Sequence, residues 1–166
     1  MDYISVSGTG SAARTRGSAA LPGRIAGRLG AAVLVLGSLP GATPTGGVDV
    51  SFQQLRSERG MLRICLTRDP DNYPNCTDDR AAITRNVHAN RPDLVLAAIP
   101  AGNWALAVIH DENGNGRLDT FAGIPREGVG FSRNPHISFG PPRFRSAEFA
   151  VAGSPTAQDV RLRYFL

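Results

Sequence analysis

Short segments in which apolar and polar residues alternate constrain the fold of this chain more than any other feature. The segments 48–53, 62–67 and 104–108 each place apolar side chains at every second position. A period of two puts those side chains on one face of a β-strand. The chain also contains 19 glycines and 12 prolines, and no window has the spacing of an amphipathic helix. The sequence therefore predicts short strands joined by turns.

Further strands are predicted along the rest of the chain, at 83–88, 94–99, 149–151 and 160–164. The segment 94–99 is continuously apolar, which favours a strand buried on both faces. About seven short strands separated by turn signals are typical of an all-β sandwich. A closed barrel is the alternative.

Residues 1–42 have the organisation of an export signal. Four arginines precede the apolar run 29–36, and small and turn-forming residues follow it. This order is typical of a secretory signal peptide, and the run is shorter than the roughly 20 apolar residues of a membrane-spanning helix. We therefore expect an exported protein, periplasmic or secreted, whose mature part is one domain at 43–166 without a transmembrane segment. An uncleaved anchor or a disordered tail is the alternative.

The formal net charge of +4 does not indicate a nucleic-acid partner. Residues 1–42 hold four arginines and one acidic residue, whereas residues 43–166 have only one more arginine than they have acidic residues. Nucleic-acid-binding proteins concentrate positive charge on their folded part. No nucleic-acid partner is therefore expected.

Two cysteines, Cys65 and Cys76, flank the turn-rich stretch 69–75. In an exported protein a single pair of cysteines indicates a disulfide bond. Free thiols and metal ligation are the alternatives, but the spacing matches no zinc-binding pattern. A disulfide between Cys65 and Cys76 is therefore expected.

The segment 110–146 is long and rich in glycine and proline, yet apolar residues recur along it. They are Phe121, Ile124, Val129, Phe131, Ile137, Phe139 and Phe144. A disordered linker would lack such residues, whereas a long packed loop is frequently functional. We expect this segment to pack on the domain and to form its recognition surface.

The beginning of this segment has the spacing of a calcium-binding loop. Alternate positions supply oxygen ligands in such a loop, and a glycine at the sixth position permits the sharp turn. The candidate ligands are Asp111, Asn113, Asn115, Arg117 through its backbone carbonyl, and Asp119. Offset 12 is Ala122 rather than glutamate, so Glu127 would supply the missing carboxylate only if the chain folds back.

A purely structural interpretation of the same loop is equally compatible with its sequence. Asn113-Gly114 and Asn115-Gly116 are favourable turn dipeptides, because asparagine and glycine tolerate positive φ. Aspartate side chains can also close such turns without a metal. Calcium is therefore one of two hypotheses for this loop.

A catalytic role has a weaker basis in the sequence. His110 has the same strand parity as the apolar residues before it, which places it at the edge of the core. A general base needs a substrate or nucleophile oriented beside it. The alternative to a non-enzymatic protein is a small hydrolase or ligand-binding enzyme that uses His110 with Asp111 or Glu127.

Four sequence motifs occur in an order that resembles one bacterial family. They are GMLRICL at 60–66, PAGNWALAVIHDENGNGRLD at 100–119, GIPREGVGFSRN at 123–134 and GPPRFRSAEF at 140–149. Together they resemble the family called domain of unknown function 2141, over residues 47–166. The resemblance implies a small exported protein with an immunoglobulin-like or transthyretin-like antiparallel β-sandwich. It also implies that the calcium-like loop is a family feature, and it implies no activity.

The function expected from these observations is a non-enzymatic binding or structural module of the bacterial cell envelope. Calcium in the loop 111–119 would order the segment 110–146, which would contact a protein or carbohydrate partner. The predicted contact residues are His110, Arg126, Glu127, Arg133, His136 and Arg143.

Overall fold

Two β-sheets pack against each other in the computed structural model, which describes residues 43–166. The predicted signal region, residues 1–42, lies outside the described residues. The first sheet has three strands. Strand β1 (Thr45–Gln53) lies in the middle, antiparallel to β4 (Asp93–Pro100) and parallel to β10 (Thr156–Arg161). The parallel β1–β10 pair is a departure from the purely antiparallel sandwich that the family resemblance implies.

The second sheet is antiparallel and contains the longest strand. Its strand order is β3-β2-β5-β8, and a further strand, β9, pairs with the beginning of β5. The strands are β2 (Met61–Thr67), β3 (Ile83–His88), β5 (Gly102–Asp111), β8 (Gly128–Phe131) and β9 (Phe149–Val151). A two-residue hairpin and one helical turn complete the chain, as β6 (Thr120–Phe121), β7 (Ile124–Pro125) and α1 (Phe144–Ala147).

The core lies between the two sheets and consists of the residues that alternate in the sequence. Each buried side chain of this size contributes roughly 1.5–3 kcal/mol to the hydrophobic free energy of folding. Its members include Val48, Val50, Phe52, Leu62, Ile64, Leu66, Trp104, Leu106, Val108, Val160 and Leu162. The prediction of an all-β sandwich is confirmed.

Strand β4 differs from the expectation of a strand buried on both faces. It lies at the edge of its sheet, and only Leu96 and Ile99 are buried in the core. Val95 is 74 % exposed on the outer face. A continuous apolar run indicates hydrophobicity but does not specify whether a second layer covers the strand.

A second, smaller apolar cluster covers part of the outer face of the second sheet. Ala105 and Ala107 of β5 are buried there against Phe131, with Leu118 and Ile137 of the long segment packed on the cluster. The prediction that the segment 110–146 packs on the domain therefore holds for part of it. It is wrong for Phe121, Ile124 and Phe139, whose side chains are exposed.

The predicted disulfide between Cys65 and Cys76 is confirmed, with the two Cα atoms 5.8 Å apart. The loop that it closes positions Tyr73 in the second apolar cluster, where its ring meets the rings of Phe131 and Phe144. Within residues 43–166, no helix has the length and apolar character needed to cross a membrane.

Candidate functional site

The loop 111–119 is wound around the carboxylate of Asp111, which is fully buried at the end of β5. Its Oδ1 accepts hydrogen bonds from the backbone N–H groups of Gly114 at 2.8 Å and Asn115 at 3.1 Å. Its Oδ2 accepts one from the N–H of Gly116 at 2.9 Å and one from Nε of Arg63 at 2.5 Å. The first residue of the calcium-like loop is therefore fully hydrogen-bonded by the protein.

The ionisation of Asp111 follows from these contacts. Burial by itself would raise the pKa of this carboxyl, because a low-dielectric environment disfavours the charged form. The Arg63 guanidinium and the N–H groups of Gly116 and Gly114 outweigh burial, so the pKa lies below its ordinary value. Asp111 is therefore a buried anion at neutral pH.

Asp119 closes the other end of the loop and is bound by two side-chain amides. Nδ2 of Asn115 donates to its two oxygens at 3.0 and 2.9 Å, and Nδ2 of Asn113 donates to Oδ2 at 2.7 Å. Hydrogen bonds from Asn115 and then from Asn113 lower the pKa of Asp119. The side-chain oxygens of these asparagines also accept backbone N–H groups two residues ahead, in Asx-turns. The loop thus has the turn chemistry that its Asn-Gly pairs indicate.

Glu127 lies beneath the loop, because the chain folds back after the β6–β7 hairpin. The N–H of Arg126 donates to the carbonyl of Asp119 at 2.9 Å, and the N–H of Asp119 donates to Oε2 of Glu127 at 3.0 Å. Glu127 is only 4 % exposed, and its Oε1 is buried without a hydrogen-bond partner among the described residues. A buried carboxylate oxygen with no donor is costly, so this atom is a candidate ligand for a cation.

The structure does not bring the acidic side chains into a ready-made metal site. Over residues 43–166, no group of three histidine, cysteine, aspartate or glutamate side chains has the arrangement of a metal centre. Arg117, predicted to contribute its carbonyl, is exposed, and its Nε lies 3.6 Å from Oδ1 of Asp119. Calcium binding by Asp111, Asn113, Asn115, Arg117 and Asp119 stays a prediction.

His110 is fully buried, and both of its ring nitrogens are hydrogen-bonded within the fold. Nε2 lies 2.8 Å from the carbonyl oxygen of Arg59, which can only accept, so Nε2 carries the proton. Nδ1 then accepts from the hydroxyl of Tyr164 at 2.7 Å. Neither Asp111 nor Glu127 is hydrogen-bonded to this ring, so the structure does not assemble the pair that the hydrolase alternative requires.

Arg56 connects three distant parts of the chain, an arrangement that sequence analysis missed. Its Nη2 donates to Oε2 of Glu112 at 2.6 Å and to the carbonyl of Arg126 at 2.7 Å, and its Nη1 donates to the carbonyl of Leu166 at 2.7 Å. Its guanidinium also lies 4.5 Å from the centre of the Tyr164 ring. No local pattern marks Arg56, since these partners are at least 56 residues away in sequence.

Of the predicted contact residues, Arg143 lies in a concave region of positive charge. Together with Arg68 and Arg145 it lines a cavity of about 620 Å³ that also contains Tyr73 and Glu148. Three arginines and one acidic residue give this cavity an excess of positive charge. We call it the basic cavity.

The other predicted contact residues do not converge on one point. Arg133 donates from Nη1 to the carbonyl of Glu148 at 3.0 Å, at the edge of the basic cavity. His136 is exposed and lies 3.0 Å from the hydroxyl of Ser138 through Nδ1. Arg126 is exposed beside the calcium-like loop, whereas Glu127 and His110 are buried.

A model of the family described as uncharacterized proteins conserved in bacteria, DUF2141, matches residues 50–159. The match spans nearly the whole sandwich, so the chain belongs to this family, and the resemblance inferred from the four motifs is confirmed. No curated protein and no solved structure matches the chain.

Proposed function

We propose that this protein is an exported, non-enzymatic binding module of the bacterial cell envelope. The basic cavity and the exposed part of the segment 110–146 contact an anionic partner, protein or carbohydrate. Calcium in the loop 111–119 orders the segment that forms this surface. The observation that carries the proposal is the basic cavity, which contains the predicted contact residue Arg143 beside Arg68 and Arg145.

Export to the periplasm or the medium is supported by two features that are independent of each other. The arginines and the apolar run of residues 1–42 have the order of a signal peptide. Cys65 and Cys76 form a disulfide, a bond that persists in oxidising compartments and is rare in the cytosol.

Calcium binding is supported by the position and state of Glu127. Asp111 and Asp119 are ionised at neutral pH, and the carboxylate of Glu127 is held at the loop by the N–H of Asp119. Its second oxygen has no hydrogen-bond partner in the part of the chain that the structure describes. A hard divalent cation would supply the missing interaction, because calcium prefers carboxylate and amide oxygens.

The geometry favours binding over hydrolysis. A general base must be within hydrogen-bonding distance of the proton that it removes. Both nitrogens of His110 are occupied by Tyr164 and by the carbonyl of Arg59, inside the fold. No observation specifically supports the hydrolase alternative.

Affinity electrophoresis tests the partner chemistry, with hyaluronate as an acidic polysaccharide and dextran as a neutral one. We expect retardation by hyaluronate alone, abolished in the double variant Arg143→Ala, Arg145→Ala. The matched control is Arg91→Ala, which removes an exposed arginine from the β3–β4 turn. Equal mobility in the hyaluronate and dextran gels, or an equal loss of retardation in Arg91→Ala, would contradict the proposal. A second measurement is thermal unfolding with millimolar calcium and with chelator, where calcium should raise the midpoint.

A further inference from the structure

The outer face of the second sheet contains a cavity that is distinct from the basic cavity. It measures about 660 Å³ and lies between strands β5 and β8 and the chain that crosses them. Its floor includes Ala107, Val129 and Phe131, and its walls include Leu118 and Ile137. We call it the apolar cavity.

Within residues 43–166, the lining of the apolar cavity contains no charged residue. Among those residues, Asn75, Thr120 and Ser138 contribute the only hydrophilic side chains of the lining, and the others are aliphatic, aromatic, glycine or proline. A charged ligand would lose its hydration here without gaining a counter-charge, which is unfavourable. A neutral ligand would lose much less, so the lining selects for an uncharged molecule.

The rim of the apolar cavity contains half of the large exposed hydrophobic side chains of residues 43–166. Among the six large hydrophobic residues that are exposed there, three line this one cavity. They are Ile124, Phe139 and Phe165, with Phe139 completely exposed at 102 %. Isolated exposed apolar residues need no explanation, but a group around one concavity is typical of a binding site.

The depth of the apolar cavity indicates a small molecule as its occupant. The floor residues Ala107, Val129 and Phe131 are 6 to 7 % exposed, so they are recessed below the rim. A flat protein surface could cover the phenylalanines of the rim without reaching this floor. A volume of about 660 Å³ is within the range of roughly 300–1,000 Å³ that small-molecule sites occupy.

We propose that the apolar cavity binds a neutral hydrophobic small molecule. The rings of Phe139 and Phe165 cover the ligand from the solvent side, and the floor of β5 and β8 contacts its far side. Ser138, Asn75 and Thr120 supply the few hydrogen bonds that fix its orientation. This inference goes beyond the binding of an anionic partner and does not depend on that partner.

Two fluorescent probes that differ in one charged group test this proposal on the purified protein. N-phenyl-1-naphthylamine is neutral, and 8-anilino-1-naphthalenesulfonate has a similar ring system with a sulfonate. We expect saturable binding of one neutral probe per chain, at least tenfold tighter than binding of the sulfonate. The double variant Arg143→Ala, Arg145→Ala separates this result from the proposed function, because it should lose retardation by hyaluronate and keep its binding of the neutral probe.

Three variants test whether the neutral probe binds in the apolar cavity. Phe139→Asp changes a fully exposed residue, so it leaves the fold intact, and it should weaken binding of the neutral probe at least fivefold. Ala107→Leu fills the floor and should have a similar effect. Val95→Asp is the matched control, since it removes an exposed apolar residue from the other sheet.

Three results would overturn the proposal. The first is the absence of saturable binding, and the second is an equal loss of binding in Val95→Asp. The third is a dimer, detected by sedimentation velocity, that dissociates in Phe139→Asp, because the apolar rim would then be an interface between two copies of the chain.

Discussion

Nε of Arg63 lies 2.5 Å from Oδ2 of Asp111, so a cationic side chain of β2 neutralises the first residue of the loop 111–119. The register of the sheet produces this pair, because Met61 is opposite Asp111 and Arg63 is opposite Ile109. Arg63 and Asp111 are therefore diagonal neighbours on one face of two antiparallel strands. The buried aspartate that organises the loop depends on this arginine for its charge balance.

Replacing Arg63 with glutamine should destabilise the protein by about 1–3 kcal/mol, since a buried carboxylate would lose a charged donor. Glutamine keeps a polar side chain of similar shape but has no charge. Urea unfolding at pH 7 measures the effect. Arg161→Gln, at an exposed position of β10, is the control and should change the free energy of unfolding by less than about 0.5 kcal/mol. Indistinguishable values for the two variants would show that the Arg63–Asp111 pair contributes nothing.

Acid should destabilise the protein in a window to which three carboxyls at the loop 111–119 contribute. Burial would raise the pKa values of Asp111 and Glu112, but hydrogen bonds from Arg63, and from Arg56 and Ser57, outweigh it and lower both. Bonds from two asparagines lower the pKa of Asp119. Because these groups are more acidic in the folded state, the unfolded state binds more protons as the pH falls. These groups contribute fully to the free energy of unfolding above the pKa values, near 4, that they have in the unfolded state. The contribution is lost as the pH falls through the lower pKa values of the folded state.

Urea unfolding between pH 7 and pH 2.5 measures this dependence. The free energy of unfolding should stay nearly constant down to about pH 5 and fall steeply below pH 4. In Arg63→Gln the total decline should be smaller, because the pKa of Asp111 is no longer lowered by Arg63 and the folded and unfolded states then differ less in the protons that they bind. A free energy that does not change between pH 5 and pH 3 would be incompatible with the lowered pKa values.

Gly128 should tolerate no side chain, because the ring of Tyr164 lies directly against it. A Cβ atom at this position would be 2.5 Å from Cε1 and 2.6 Å from Cζ of that ring. Gly128→Ala should therefore destabilise the protein by about 1–3 kcal/mol, and it should displace the hydroxyl that donates to His110. Gly153→Ala is the matched control, since a Cβ there meets nothing within 4 Å. It should be neutral or stabilise by about 0.4–1 kcal/mol, and equal effects of both changes would refute the packing argument.

The strands could be predicted from the sequence because their determinant is local. Apolar side chains at every second position identify the buried face of a strand, and Val48, Val50 and Phe52 are buried as that rule requires. The contact between Arg63 and Asp111 could not be predicted, because it depends on the register between two strands. For the same reason the sequence did not indicate that Arg56 would bind Glu112.

The candidate site was predictable to the extent that turn chemistry is local. The Asn-Gly pairs indicate the turns of the loop 111–119, and the structure has them. The sequence predicts that Glu127 lies at the loop only if the chain folds back. The hydrogen bond between Arg126 and Asp119 shows that it does. Exposure of Phe139 was not predictable, since a hydrophobic residue in a loop does not reveal whether another part of the chain covers it.

Glu127→Gln should separate the calcium hypothesis from the purely structural one. Glutamine can still accept the N–H of Asp119, but it replaces the carboxyl group whose buried Oε1 has no partner within residues 43–166. In chelator, the variant should therefore unfold at the same temperature as the unmodified protein or at a higher one. In millimolar calcium, the unmodified protein should gain about 4 °C or more, and the variant should gain little, because it lacks the carboxylate that would bind the ion.

Differential scanning calorimetry with and without calcium measures the unfolding temperatures that both expectations concern. Glu58→Gln is the control, because it removes an exposed glutamate from the β1–β2 connection and should keep the full response to calcium. An equal response to calcium in the unmodified protein and in Glu127→Gln would remove Glu127 from the site. No response in any of the three proteins would leave the asparagine turns and the Arg63–Asp111 pair as the complete account of the loop, since a cation that binds only the folded state must raise its apparent stability.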